Sequence, residues 1–278
     1  MKPSIVCAAF FSFILLYGTA QSQQSQLVQK WATDTVLKVP ESVYFDGKNK
    51  VLYVANIDGQ PWDKDGNGSI GKVGLDGKII ATEWVTGLNA PKGLGVYAGK
   101  LYVADVDAIA VIDISQGKIV DKINIDGAEG LNDLSVDGKG VIYVSDSKTK
   151  KIHRIDKGKS AVLLENLQGP NGVLWNKSNL YIVDAGGLYK VEADKSLTKL
   201  ADGMEGGTDG IEPVGNGDFI VSCWAGVIYL VKADGNKEVL LDTRDQKINS
   251  ADIGYDPATR TVYVPTFWKN GVVAYTLK

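Results

Sequence analysis

A segment of about 40 residues recurs six times along this chain, and no other feature limits its fold as much. The copies read PESVYFDGKNKVLYV, PKGLGVYAGKLYV, LNDLSVDGKGVIYV, PNGVLWNKSNLYIV, TDGIEPVGNGDFIV and SADIGYDPATRTVYV. Their second residues are Glu41, Lys92, Asn132, Asn171, Asp209 and Ala251, spaced by 51, 40, 39, 38 and 42 residues. Ten to 12 residues further on, each copy has an aromatic: Tyr53, Tyr102, Tyr143, Tyr181, Phe219 and Tyr263. β-Branched and aromatic runs punctuated by Asp-Gly, Asn-Gly and Gly-Lys pairs are the chemistry of tight antiparallel hairpins. No long amphipathic helix follows the first 20 residues. The pattern predicts an all-β, six-bladed β-propeller.

Ring closure follows from counting strands. The last copy supplies three, ending in GVVAYTL, and the chain then stops. The segment LVQKW, Leu27 to Trp31, precedes the first blade and resembles the outer strands AVLLENL and EVLLD. It is expected to complete blade six, leaving no long open edge.

The chain opens with Lys2, a short apolar stretch from Ile5 to Tyr17, and small residues at Gly18 and Ala20. This reads as a cleaved export signal over residues 1–20, followed by one domain over 21–278, in a periplasmic or secreted protein with no membrane attachment after cleavage. The mature formal charge is −4, which argues against nucleic acid as a partner. Cys223 alone would survive cleavage, so no internal disulfide is expected, and stability must come from the core.

In a closed ring the second residues of the copies face one axis. Glu41, Asn132, Asn171 and Asp209 would bring four oxygen-bearing side chains to one level, a set suited to a hard divalent cation, with calcium the expected ion. Turn preference accounts for a single Asn or Asp, but not for four at one register with a Glu among them. Zinc fits poorly, because Cys223 and His153 lie outside the set. Loops between second and third strands share the face of these anchors. They carry Trp62, Cys223, Trp224, Phe267 and Trp268, which predicts an apolar arc beside a polar axis, the usual form of a small-molecule pocket. Trp224 and Trp268 are candidate substrate contacts. Lys92, the blade-two anchor, either binds an anionic part of the substrate or pairs with Asp133 or Asp252.

These repeats and anchors resemble the regucalcin/gluconolactonase (senescence marker protein) family, and more distantly diisopropyl fluorophosphatase and paraoxonase. The resemblance spans about residues 40–278. Its specific part is the order Glu, Asn, Asn, Asp in blades one, three, four and five, with PNGVLW around Asn171 and TDGI around Asp209 the nearest local matches. It implies Glu41, Asn171 and Asp209 as metal ligands, with Asn132 as a fourth ligand or a substrate contact. The chain departs from the sugar lactonases at Gly130, where they carry Arg, and lacks their tryptophan shortly after Glu41. The expected function is metal-dependent hydrolysis of a lactone or related ester, with Asp209 as nucleophile or general base because no histidine is on the ring. The alternative is a non-catalytic NHL-type propeller that binds a ligand or protein on its top face. A condensing enzyme of the strictosidine-synthase type is set aside, since several axial oxygens point to metal.

Other motifs read as structural. DKDGNGSIGKVG, Asp63 to Gly74, begins like an EF-hand loop but has Gly74 where the bidentate Glu belongs. Its favoured reading is a solvated hairpin loop, and a weaker calcium site the alternative. His153 is expected on a strand surface and Cys223 as a small, partly buried thiol. Asp105, Asp146 and Asp184, each three residues after its blade tyrosine, are expected to cap turns.

Overall fold

The computed structural model describes Met1 and residues 26–278; the candidate export signal lies outside these residues. Among the described residues, twenty-four strands form six antiparallel sheets of four, each laid out in chain order from the inside outward except the last. Blade six orders its strands Gly254–Asp256, Thr261–Pro265, Val272–Leu277 and then Leu27–Ala32. The N-terminal strand pairs antiparallel with the C-terminal one, Leu27 opposite Leu277 and Ala32 opposite Val273. The closure expected from LVQKW is therefore observed. Among the described residues no helix is long and apolar enough to cross a membrane.

Each junction between neighbouring blades is filled by its own apolar cluster, so six clusters hold the ring. The repeat aromatics sit in or against them. Tyr143 stacks on Trp175 of blade four at 5.2 Å, Tyr181 meets Phe219 of blade five at 4.8 Å, and Tyr263 meets Phe45 of blade one at 5.9 Å. Aromatic pairs of this kind add specificity to plain burial.

The inner strands approach one another closely, and two glycines explain how acids fit there. A Cβ on Gly93 would lie 2.6 Å from Asp133 Oδ1, and one on Gly210 would lie 2.3 Å from Asp252 Oδ1. The Asp133 and Asp252 carboxylates thus cross the neighbouring strand where it has no side chain. Asp133 Oδ2 then accepts from Val173 N at 2.6 Å, and Asp252 Oδ2 from Ser42 Oγ at 2.5 Å.

The aspartates after the tyrosines cap turns as expected. Asp105 accepts from Asn89 N and Ala90 N, Asp146 from Glu129 N and Gly130 N, and Asp184 from Gln168 N and Gly169 N. Each ties down the segment just before an anchor, fixing where Lys92, Asn132 and Asn171 enter the ring. His153 departs from expectation. It is 2% exposed, with Nε2 3.9 Å from Asp146 Oδ2, because its strand turns this residue toward the interior.

Candidate functional site

Glu41, Lys92, Asn132, Asn171 and Asp209 line one cavity of about 380 Å³ at the top of the axis. Pro61, Trp62, Ser147, Thr208, Trp224 and Phe267 complete much of its wall. Each anchor is the second residue of its inner strand, so the ring brings together what the repeats had aligned.

This cavity sets the Lys92 ammonium beside a group of acceptor oxygens. Glu41 Oε2, Asn171 Oδ1 and Asp209 Oδ1 are buried and have no hydrogen-bond donor. A native interior rarely leaves one such atom unpaired, and three acceptors around one cavity are a donor set that a cation could use. Asn132 commits its amide nitrogen to Ser147 Oγ at 3.1 Å, and that hydroxyl donates to the Pro170 carbonyl at 2.7 Å. The blade-three anchor is thereby fixed to blade four. Among the described residues no three His, Cys, Asp or Glu side chains converge, so any ion here would draw on amide oxygens as well as the two carboxylates.

Electrostatics agree with this reading. Burial raises the Glu41 carboxyl from its ordinary 4.5 to about 8, with Lys92 pulling down and Asp252 pushing up. Burial, then Glu41 and Asp252, hold the Asp209 carboxyl well above its ordinary range, while the Asn171 amide and Lys92 oppose them. Asp252 rises to about 7, mainly through burial. Burial of these acids outweighs the Lys92 charge and favours their protonated forms.

The predicted contacts divide. Trp224 lines the cavity and meets Phe267 edge-on at 5.6 Å. Trp268 is outside the wall, 47% exposed, and packs edge-on against Phe267 at 4.8 Å. A single 3₁₀ turn over Phe267–Lys269 begins with Phe267 at φ 47°, which turns the phenyl ring inward in its place. Lys92 forms neither of the ion pairs considered for it. Its Nζ donates to the Pro61 carbonyl at 2.6 Å, on the long blade-one loop. Cys223 is fully buried, and burial pushes its thiol up to about 12, so it is inert. In the Asp63–Gly74 segment, Asp65 accepts from Asn67 N at 3.0 Å and a strand begins at Gly68, which makes it a local turn leading into a hairpin. Missed from the sequence were Pro61, Ser147 and Thr208; only Ser147, directly after the capping Asp146, had a positional signal.

A larger groove of about 880 Å³ runs between blades one and two on the opposite face, lined by Tyr44, Asp46, Tyr53, Lys72 and Asp113 among others. Among the described residues it holds one unpaired buried oxygen, Tyr53 Oη, against three at the axial cavity, which is therefore the stronger candidate.

Comparison with solved structures supports the architecture. A gluconolactonase of Xanthomonas campestris superposes with a TM-score of 0.67 at 15% identity, covering 88% of each chain. A streptogramin B lyase gives 0.65 at 11% identity, covering 91% of this chain and 97% of the other. A catalytically inactive histidine-to-alanine virginiamycin B lyase of Staphylococcus aureus, solved with quinupristin, gives 0.63 at 15%, covering 92% and 99%. No protein-family model and no curated protein matches the sequence. The likeness bears out the resemblance to gluconolactonase propellers at the level of the fold, since such identities carry no more than that.

Proposed function

We propose that this chain is an exported, divalent-metal-dependent hydrolase of a lactone or related ester. The observation that carries the reading is the trio of unpaired buried oxygens, Glu41 Oε2, Asn171 Oδ1 and Asp209 Oδ1, around one cavity. They and Asn132 would hold the ion, with calcium favoured by an all-oxygen donor set. When bound, it would supply Lewis acidity toward an ester or lactone oxygen. The remaining work falls to the chain. Asp209, ionised, is the group placed to take a proton from water or to attack as a nucleophile. Trp62, Trp224 and Phe267 form the apolar wall against which a small substrate is oriented and water excluded. The fold likeness to a gluconolactonase supports hydrolysis. Lyase chemistry is less favoured, because the lyase above is inactive once a histidine is replaced, and the single histidine here is buried beside Asp146, away from the cavity.

The test is metal analysis of the purified protein, then a lactone and ester panel with and without chelator. Asp209→Asn should lose turnover by at least about a hundredfold while the fold persists, the scale of removing a general base. Full activity in that variant on a confirmed substrate would refute the role. Metal binding with no hydrolysis across the panel would leave a ligand-binding propeller instead.

A further inference from the structure

The blade-two place on the ring carries a cation whose surroundings are not those of a structural ion pair. Lys92 is 2% exposed. Its Nζ has the Pro61 carbonyl at 2.6 Å and the Ala90 carbonyl at 3.5 Å, and among the described residues no carboxylate oxygen comes within 4.0 Å. Asp105, an acid near it, already accepts from Asn89 N, Ala90 N and Asn89 Nδ2. A buried ammonium has three protons to place, and two carbonyls do not neutralise its charge.

A second ammonium reaches the same spot. Lys92 Nζ lies 4.5 Å from the centre of the Trp62 ring and Lys148 Nζ lies 5.1 Å from it. The Lys148 stem gets there by crossing Gly130, where a Cβ would fall 2.7 Å from Lys148 Cγ and 3.0 Å from its Cβ and Cδ. Lys148 Nζ also has no carboxylate within 4.0 Å among the described residues. Two like charges on one indole repel, and the Lys148 charge adds to burial in pushing the Lys92 ammonium below its ordinary value, against Glu41, Asp209 and Asp105. An arrangement that folding disfavours, at a cavity wall, marks a ligand site.

The charge count names the ligand. Ionised Glu41 and Asp209 balance Lys92 and Lys148. A divalent ion on the axis would engage both carboxylates and, with Asp105 counted as ionised, leave the mouth one charge positive. We infer that Lys92, Lys148 and Trp62 form a subsite for an anionic substituent, so that the substrate class is a lactone or ester bearing a carboxylate or phosphate group. The word substrate rests on the hydrolase reading above; anion binding at this place does not. Trp62 would lie along the apolar part of the ligand while the two ammonium groups take its charged end.

The experiment titrates the full-length mature chain with succinate, with methyl phosphate and with uncharged succinamide, in calcium and in chelator, by calorimetry and tryptophan fluorescence. One of the two anions is expected to bind at least about tenfold more tightly than succinamide, the scale of a charge-assisted hydrogen bond, and more tightly in calcium than in chelator. The preferred anion separates carboxylate from phosphate. Lys92→Met should weaken it about tenfold and the exposed Lys148→Met about threefold, with Trp62→Phe removing the fluorescence response. Lys148→Met lies at the surface, so it reports even if Lys92→Met folds poorly. Equal binding of anions and succinamide, or anion binding unmoved by Lys148→Met, overturns the proposal. Anion binding without ester turnover would retain this subsite and remove the hydrolase. Turnover of neutral lactones, with charged and neutral substrates affected equally by Lys148→Met, would do the reverse.

Discussion

With no cation bound, this protein's stability should fall as pH rises, and Glu41 sets the size of the effect. Its carboxyl is raised from 4.5 to about 8. Below pH 4.5 both folded and unfolded chains hold the proton, and nothing is lost. Between 4.5 and about 8 the unfolded chain releases it and the native chain keeps it, so the native state binds more protons and loses stability with each step upward. Above about 8 the cost is fully present. At about 1.4 kcal/mol for each pH unit, Glu41 titrating alone amounts to about 5 kcal/mol, a large share of a typical stability. In a domain of this size that corresponds to roughly 10–20 °C in melting temperature. Asp209, Asp133 and Asp252 are raised as well and steepen the fall. The assay is thermal unfolding from pH 5 to 8 in chelator and in calcium. Calcium should flatten the slope, so that its stabilising effect grows with pH. Glu41→Gln should melt higher than the parent in chelator at pH 8 and should lose most of the response to calcium. A flat profile in chelator, or the same slope in Glu41→Gln, would refute the reasoning.

Three further outcomes are expected. Gly210→Ala places a methyl group against Asp252 Oδ1 and Ile253 N, at 2.3 and 2.6 Å, and should cost about 1–3 kcal/mol in urea unfolding. Deleting residues 26–32 bares the strand Val272–Leu277, and light scattering should show aggregation where the intact chain stays monodisperse. Cys223 should resist thiol reagents in the native state and react only as fast as the protein opens, followed by labelling against denaturant.

The ring and its axial anchors were legible because the chain carries six copies of one solution. A residue that recurs at one register must recur at one level of the axis, whatever the loops do. The closing strand was legible for the same reason, since LVQKW filled the one place where the pattern came up short. What depended on single, unrepeated loops was not legible. The Lys92 partner is a carbonyl on the blade-one insertion, and no period announces it. Trp268 and Phe267 exchange roles because of one left-handed residue, a choice made by local packing. The strand surface expected for His153 became interior because a strand's two faces alternate, and its sequence marks neither as outward. The crossing of Gly93 and Gly210 by Asp133 and Asp252 is written at the position after each anchor, yet only the spacing between neighbouring strands gives that pattern meaning.

Phe267 shares its unusual backbone with two β-branched residues. Val39 and Val106, at φ 52° and 60°, join it in one small apolar group with Ile57, Ala90 and Ala251, on the face where blades six, one and two meet. Bulky side chains in that conformation each cost on the order of 1–2 kcal/mol, which the surrounding contacts must offset. Phe267 is the member of this group that lines the cavity, so that stretch of its wall is backed by packed side chains from three blades. Adaptation to a new guest would then fall to the one long insertion that carries Pro61 and Trp62, leaving the rest of the vessel unaltered.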